Sequence, residues 1–275
     1  MTGSPMPAAT ARPPRGTPAL KVEGLARSFG GVYAVSDVSM SVGEGELRGV
    51  IGPNGAGKST LFNLISGHLA PDQGVITYRG RRIDRLSPHE RARLRISIVF
   101  QAARLFQGMT VLENVMVGAH VWSRHGFLEA ALRLPRHSRE EREIRRRAEQ
   151  AIERVGIGAW ASTRAESLPL GQQRSLQVAR ALCGEPELLL LDEPGSGLRA
   201  REKEAFAHLL GLLKAERLTM MLVEHDVGFV SSLADVLTVL DLGQVIAEGP
   251  PDPVLRDPAV IAAYIGKDEG HAPDH

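Results

Sequence analysis

The sequence predicts an α/β fold built around a sheet that is covered on both faces. Continuous apolar runs at residues 188–191 and 220–223 are typical of strands buried on both faces. A third, mostly apolar strand at residues 47–51 leads into a glycine-rich loop. Residues 58–69 then carry apolar side chains at helical spacing, so we expect the succession of strand, loop and helix here.

Shorter strands are expected on either side of these elements. Residues 20–78 read as strands interrupted by turns, and residues 37–42 alternate apolar and polar side chains as a half-buried strand does. A strand pair is predicted at residues 236–240 and 244–247. A short helix near residues 260–265 follows it.

Residues 102–182 are predicted to form a mostly helical subdomain. Its centre, residues 138–155, is densely charged, but apolar side chains recur there every three or four residues: Ile144, Ala148, Ala151, Ile152 and Val155. Gly156 is the expected C-cap of this helix. Because glutamates are interleaved with the arginines, we interpret the charges as a solvated helix face rather than a basic binding patch.

Length and composition fit one large domain. The chain has 275 residues. Its net charge of +1 does not indicate nucleic acid as a partner. No internal repeat is detectable, and we predict a single domain over residues 19–266. The polar ends are expected to be a disordered tail at residues 1–18 and a flexible one at residues 267–275.

The lone cysteine, Cys183, excludes an internal disulfide framework and is expected to be a buried, inert thiol. The first residues lack the continuous apolar core of a secretory signal. No apolar run reaches the roughly 18 residues that span a bilayer. Any membrane role would therefore depend on a partner.

A phosphate loop is predicted at residues 52–60, because residues 52–59 fit the pattern G-x-x-x-x-G-K-[ST] between a strand and a helix. Its glycines let backbone N–H groups converge on phosphate oxygens, and the helix adds its positive N-terminal end. Lys58 would hold the β- and γ-phosphates, and the Ser59 hydroxyl would bind Mg²⁺. The residues expected to bind ATP are Gly52, Pro53, Asn54, Gly55, Ala56, Gly57, Lys58, Ser59 and Thr60.

Two acids, Asp192 and Glu193, end the apolar run at residues 188–191. A buried strand brings them to the sheet edge beside the phosphate loop. There Asp192 would bind Mg²⁺ or its water, and Glu193 would activate the attacking water as a general base. Taken alone, an acidic turn that caps a strand would be the better interpretation. The intact phosphate loop favours the catalytic one.

Two further polar residues follow apolar strands. His225 closes the strand at residues 220–223, which we predict to neighbour the strand of Asp192, and could touch the γ-phosphate. Gln101 follows another apolar stretch and could sense magnesium or water. The spacing alone leaves an ordinary strand-end role equally open for both.

Taken together, these motifs resemble the ATP-binding subunit of ABC transporters over residues 20–266. Residues 52–59 resemble the Walker A loop, residues 188–193 the Walker B strand, Gln101 the Q-loop glutamine and His225 the switch histidine. Phe29 is similar to the aromatic residue that stacks on adenine, with a core phenylalanine as the alternative. The resemblance implies a P-loop NTPase core with an antiparallel β subdomain and a helical subdomain. It also implies ATP and Mg²⁺ as cofactors.

Within that family the chain is most similar to the branched-chain amino acid importer type. The similarity lies in residues 105–115, in the charged insertion between Gly118 and Ile157, and in the ending at residues 257–266. The resemblance implies a peripheral subunit on the cytoplasmic face of the membrane. Its partners would be two transmembrane permease subunits, a second ATPase and, indirectly, an external substrate-binding protein. The second ATPase is usually a different chain in such systems, and a homodimer is the alternative. The Q-loop region, residues 101–108, would receive a permease helix.

The family signature, usually L-S-G-G-Q, is altered in the signature segment, residues 168–174. Pro169 has neither hydroxyl nor N–H, and Leu170 adds bulk, whereas Gly171 and Gln172 remain to contact the partner's nucleotide. Arg199 stands where many members carry an acid or Asn. Either this segment serves the partner's nucleotide weakly, or the helix N-terminus suffices. Both interpretations stay open.

Three other functions are compatible with some of these motifs. The same motifs occur in subunits for urea or amide uptake and for lipid export. They also occur in soluble ABC ATPases that act on nucleic acid or ribosomes, although this chain has one cassette and no basic stripe. A nucleotide-binding scaffold without turnover is disfavoured by Glu193 and His225. The sequence does not determine the transported substrate, for which leucine, isoleucine and valine are the default.

Overall fold

The computed structural model describes residues 18–101, 105–122 and 135–268, and it contains two sheets. The strands are β1 (Leu20–Phe29), β2 (Val32–Val42), β3 (Leu47–Ile51), β4 (Gln73–Tyr78), β5 (Arg81–Arg82), β6 (Ile96–Val99), β7 (Leu188–Asp192), β8 (Thr219–Val223), β9 (Val236–Asp241) and β10 (Gln244–Gly249).

Helices cover the sheets and fill the region between β6 and β7. They are α1 (Lys58–Ser66), α2 (Pro88–Arg93), α3 (Val111–Met116), α4 (Pro135–Arg154), α5 (Leu170–Cys183), α6 (Ala200–Ala215), α7 (Val227–Ser231), α8 (Pro251–Leu255) and α9 (Pro258–Asp268), with 3-10 turns at Val117–Trp122, Gly158–Trp160 and Ala165–Ser167. Within the described ranges, no helix has both the length and the apolar character needed to cross a membrane. The alternation of strands and helices confirms the predicted α/β class.

The larger sheet has the order β10-β9-β3-β8-β7-β6. Its strands β9, β3, β8, β7 and β6 run parallel, and β10 is antiparallel to β9. Strands β3 and β8 are buried at every position, as their mostly apolar sequences predict. In this register Asp192 of β7 lies opposite Val223 of β8, which confirms that the strand preceding His225 neighbours the strand of Asp192.

The smaller sheet is antiparallel, in the order β2-β1-β4-β5. It packs with α1 in one apolar cluster that also contains alternate residues of the larger sheet. The opposite face of the larger sheet packs against α3 to α6. Strand β2 begins well before the predicted residues 37–42, because its N-terminal half pairs with β1 in a long hairpin.

Helix α1 ends at Ser66, three residues before the predicted end at Leu69. Gly67 has φ of 87°, the left-handed conformation that closes helices. A Cβ there would lie 2.8 Å from Arg91 Nε and 2.9 Å from the Leu86 carbonyl oxygen. The helix therefore stops where α2 and its preceding loop press against it.

The helical region has the predicted apolar stripe. Ala148, Ala151, Ile152 and Val155 of this stripe are buried, and Gly156, which follows Val155 after the end of α4, has φ of 74°. Its charges form exposed pairs such as Arg145–Glu149 and Arg146–Glu143. This agrees with a solvated face. Residues 123–134 of the insertion, residues 102–104 and the tails at residues 1–17 and 269–275 lie outside the described residues.

Cys183 and the C-terminal helix both lie within the described residues. Cys183 is buried, and burial raises the pKa of its thiol to about 11, as expected of an inert cysteine. The C-terminal helix α9 spans Pro258–Asp268 and is longer at both ends than the predicted residues 260–265. Its start follows Asp257, whose side chain accepts a hydrogen bond from the Ala259 N–H at 2.8 Å.

Arg91 of α2 fixes the C-terminal end of α1. Its side chain is 1% exposed, and its guanidinium donates to the carbonyl oxygens of Leu64 (2.8 Å), Ile65 (2.5 Å) and Leu86 (3.0 Å). These carbonyls include acceptors that the last turn of a helix leaves unpaired. Burial lowers the pKa of Arg91 to about 10.

We expect Arg91→Ala to lower the free energy of unfolding by about 3 kcal/mol, because it leaves buried carbonyls unpaired and opens a cavity. Arg93→Ala, at an exposed position of the same helix, should change stability by less than about 0.5 kcal/mol. Urea unfolding of both variants measures the difference. Equal midpoints would contradict the role given to Arg91.

Candidate functional site

The phosphate loop has a backbone that only glycine can adopt at two points. Gly52 has φ of 151°, and a Cβ there would lie 2.1 Å from the Leu240 carbonyl oxygen. Gly57 has φ of 100°, and its Cβ would lie 2.2 Å from the Ala34 carbonyl oxygen. Two glycines therefore let the loop pass against β9 and the β1–β2 hairpin.

Lys58 begins α1 and turns its side chain back over the loop. Its ammonium donates to the carbonyl oxygens of Gly52 (2.8 Å) and Pro53 (3.1 Å) and is buried. The N-cap of α1, Gly57, makes no side-chain hydrogen bond. Ser59, in the first turn of α1, is exposed. The loop therefore presents a cation, a helix N-terminus and a hydroxyl at one place, which suits a polyphosphate.

Asp192 and Glu193 lie at the carboxyl end of β7, as predicted. Burial, followed by the nearby charges of Glu193 and Glu224, raises the pKa of Asp192 to about 6. Glu193 has φ of 42°, and its N–H donates to the Val223 carbonyl oxygen at 2.9 Å. This left-handed turn redirects the chain immediately after the strand.

The structure brings three of the predicted residues into contact. The Gln101 side-chain amide donates to Glu193 Oε2 at 2.9 Å, and His225 Nδ1 lies 3.5 Å from the same oxygen. Strands β6, β7 and β8 are neighbours, so the residues that follow them meet at one sheet edge. Glu193 is the centre of this group, with Gln101 on one side and His225 on the other.

Glu224 was not singled out from the sequence. It is 1% exposed, and its carboxylate accepts the Gly195 N–H at 2.7 Å and the His225 N–H at 3.3 Å. Burial raises its pKa. The only signal in the sequence is an acid directly before His225, which does not predict burial.

The signature segment starts a regular helix despite its unusual residues. Pro169 is the N-cap of α5, and its carbonyl oxygen accepts the Gln173 N–H at 3.0 Å. The Gly171 N–H donates to Glu202 Oε1 at 3.3 Å, and the other oxygen of Glu202 accepts the Arg199 N–H at 2.9 Å. Glu202, which the sequence analysis missed, thus links the helix N-terminus to the loop at residues 193–199.

Arg174 of α5, also not predicted as a site residue, joins the signature segment to the loops that contain Gln101 and Ser196. It is 6% exposed, and its guanidinium donates to the carbonyl oxygens of Gln101 and, at 3.1 Å, Ser196. Burial lowers its pKa. Its buried position among Leu176, Val178 and Ala179 on α5 is the pattern that could have revealed it.

Phe29 lies at the end of β1 and is 48% exposed, which excludes the alternative of an ordinary core phenylalanine. The Arg27 guanidinium lies 5.1 Å from its ring centroid. Its hairpin partner strand carries Ala34, whose carbonyl faces Gly57 of the phosphate loop. An exposed ring is thus held on the hairpin that borders the loop.

Two family descriptions match the sequence. Residues 35–196 match the family described as ABC transporter, and residues 244–270 match the one described as branched-chain amino acid ATP-binding cassette transporter. The first match covers more than half of the chain, including the phosphate loop and Glu193.

Curated relatives cover almost the same length. The chain is 38% identical to the high-affinity branched-chain amino acid transport ATP-binding protein LivG of Salmonella typhimurium, over 91% of this chain and 98% of that protein. It is also 38% identical, over the same shares, to the BraF protein of the same description from Pseudomonas aeruginosa.

Solved structures share the fold. A nucleotide-free ATP-binding cassette from an ABC transporter superposes with a TM-score of 0.80 at 31% identity, covering 91% of this chain and 100% of that one. A dimeric ATP-binding cassette bound to ADP and Pi gives 0.70 at 26% identity, covering 84% and 98%. Sequence, fold and site agree, and the chain belongs to the ABC transporter family, as a nucleotide-binding subunit that hydrolyses ATP.

Proposed function

We propose that this chain powers the uptake of branched-chain amino acids, with leucine, isoleucine and valine as substrates. The observation that carries the proposal is its full-length similarity to the LivG and BraF proteins, at 38% identity over 91% of the chain. The match at residues 244–270, which include β10, α8 and α9, adds support from a second part of the sequence.

Residues 52–60 bind the phosphates of ATP. Lys58 exchanges the loop carbonyls that it contacts for the β- and γ-phosphates, and the first backbone N–H groups of α1 donate to phosphate oxygens. The exposed Phe29 ring stacks on adenine, on a hairpin held against Gly57. The glycines already give the loop its curved shape, which reduces the conformational entropy lost when ATP binds.

Mg²⁺ is the second cofactor, and the residues present fit it. Ser59, Asp192 and Gln101 supply the hard oxygen atoms that this cation prefers. Within the described residues, no cluster of three or more His, Cys, Asp or Glu side chains could hold a metal alone. This suits an ion that takes its other ligands from phosphate and water. When bound, Mg²⁺ neutralises charge on the phosphates.

Hydrolysis is an in-line attack of water on the γ-phosphorus, with ADP as leaving group. Glu193 accepts the proton of the attacking water. Gln101 holds the Glu193 carboxylate from one side at 2.9 Å, and His225 lies on the other side. His225 is 52% exposed and can turn its remaining ring nitrogen toward the γ-phosphate. Lys58 stabilises the charge that develops during transfer.

The working assembly is a head-to-tail pair of ATPases beneath two transmembrane permease subunits. Gly171 and Gln172 face the nucleotide of the second ATPase, a different chain in our proposal. The subunit is peripheral, on the cytoplasmic face of the membrane, and receives a permease helix near residues 101–108. An external binding protein delivers the substrate, and nucleic acid is not a partner.

The main alternatives are another ABC transport system, for urea, amides or lipid, and a soluble ABC ATPase. They differ from the proposal in the partner proteins of the chain and in the transported substrate. The ATP chemistry is the same in all of them, so partner identity and transport decide between them.

The tagged protein, isolated from its host in mild detergent, should be accompanied by two multi-span membrane proteins and a second ATPase. Vesicles that contain this complex, with ATP inside and the binding protein outside, should take up labelled leucine, and unlabelled isoleucine or valine should compete. The same complex with Lys58→Ala is the control without transport. A protein that emerges alone or with ribosomes, or competition only by urea or amides, would contradict the proposal.

Glu193→Gln should lower ATP turnover of the complex by roughly 100-fold or more, because the amide cannot accept the proton of the attacking water. ATP affinity, measured by binding of a fluorescent analogue, should stay within about twofold. Glu204→Gln, an exposed glutamate of α6, is the matched control and should behave as wild type. If turnover survives in Glu193→Gln, the partner's glutamate does the work.

Restoring the signature should raise turnover if this segment is the weak half of the pair. The change is Pro169→Ser with Leu170→Gly, and one added hydrogen bond corresponds to a roughly fivefold effect. ATPase rates of the purified complex measure it, with Leu212→Gly, at an exposed leucine of α6, as control for the added glycine. An unchanged rate means that the α5 N-terminus already suffices.

A further inference from the structure

Glu224 occupies the junction between the sheet and the switch histidine. It directly follows β8, and its backbone N–H donates to the Val50 carbonyl oxygen of β3 at 3.3 Å. Its side chain is 1% exposed. A buried carboxylate is costly to desolvate and is stable only where donors surround it.

Both oxygens of Glu224 have a partner. Oε1 accepts the Gly195 N–H at 2.7 Å, and a Cβ on Gly195 would lie 2.9 Å from this oxygen. Oε2 accepts the His225 backbone N–H at 3.3 Å and lies 3.6 Å from His225 Nδ1. One carboxylate therefore connects the loop after Glu193 with both the backbone and the ring of His225.

The ring of His225 lies between two carboxylates. Nδ1 is 3.5 Å from Glu193 Oε2 and 3.6 Å from Glu224 Oε2. Ionised carboxylates only accept hydrogen bonds, so this arrangement favours a proton on Nδ1. The position of Glu224 thus sets which edge of the ring remains for the nucleotide. The ring is otherwise weakly held, since the side chain is 52% exposed.

We propose that Glu224 is a positioning residue for ATP hydrolysis, which orients the ring of His225, keeps the proton on Nδ1 and ties this ring to the loop that carries Glu193 through Gly195. The inference rests on the proposed roles of Glu193 and His225. It adds Glu224 to the residues that support hydrolysis, although Glu224 does not contact the nucleotide. A purely structural alternative is that Glu224 only anchors Gly195 to β8.

Glu224→Gln separates the two possibilities because it preserves shape and inverts polarity. Its carbonyl oxygen can still accept the Gly195 N–H. Its NH₂ group then faces the His225 backbone N–H and Nδ1, where the carboxylate accepted. The NH₂ group repels a protonated Nδ1 and favours the other tautomer. Anchoring of Gly195 alone would leave the ring unaffected.

The first readout is the ¹⁵N spectrum of the histidine side chains in the full chain without nucleotide, with the His225 signals assigned by their loss in His225→Gln. We expect the proton on Nδ1 in wild type and a shift toward the Nε2–H tautomer in Glu224→Gln. Glu204→Gln should leave the His225 signals unchanged. Unchanged His225 signals in Glu224→Gln would overturn the proposal.

The second readout is ATP turnover of the complex. Glu224→Gln should lower kcat about tenfold, with KM within about twofold, and Glu224→Gln in a His225→Ala background should cause no further loss. Additive losses would show that Glu224 acts independently of His225 and would refute its positioning role. If wild type itself hydrolyses no ATP, the proposed function fails, whereas the tautomer measurement still decides whether Glu224 orients His225.

Discussion

The register of four parallel strands determines which residues can meet at the nucleotide site. Val50 of β3 pairs with Val223 of β8, and Asp192 of β7 pairs with the same Val223. Strand β6 continues the row beside β7. Neighbouring strands are about 4.8 Å apart, so residues that follow adjacent strands lie within one side-chain length. Strand pairing therefore places the phosphate loop beside Glu224, Glu224 beside Glu193, and Glu193 beside Gln101.

The turns after the strands then decide where each side chain points. Glu193 takes a left-handed conformation with φ of 42°, which costs of order 1 kcal/mol for a residue with a Cβ. Hydrogen bonds from its own N–H to Val223 and from Ser196 to its carbonyl hold this turn. Strain at this position is therefore balanced locally, and the carboxylate is directed at the space between Gln101 and His225.

The parts of the site that depend on local sequence were predictable. The phosphate loop is a continuous motif, and Asp192, Glu193, Gln101 and His225 each follow an apolar strand, so strand pairing and a shared edge suffice to place them. The predicted end of α1 at Leu69 was wrong, because Gly67 terminates the helix where α2, a later element of the chain, packs against it. The bounds of β2 and α9 likewise depend on a hairpin partner and on the Asp257 cap.

Arg174, Glu202 and Glu224 could not be predicted in the same way. Each makes its important contacts with elements distant in sequence, for example Arg174 with Gln101 and Ser196. Charged side chains are usually solvated, and only the fold shows that Arg174 and Glu224 are buried and that Glu202 is partly covered. Phe29 differs from them, because its exposure agrees with a stacking role while that role stays a prediction.

The buried guanidinium of Arg174 has a thermodynamic consequence for the whole subunit. One rigid planar group holds the backbones of two loops, so a displacement of α5 changes both contacts at once. Free-energy coupling between two binding events is reciprocal. If binding at the Gln101 loop changes the affinity of a ligand at the Ser196 loop through this group, binding at the Ser196 loop changes the affinity at the Gln101 loop by the same factor. Coupling through this group therefore has no intrinsic direction, and the free energy of ATP hydrolysis must give the cycle one.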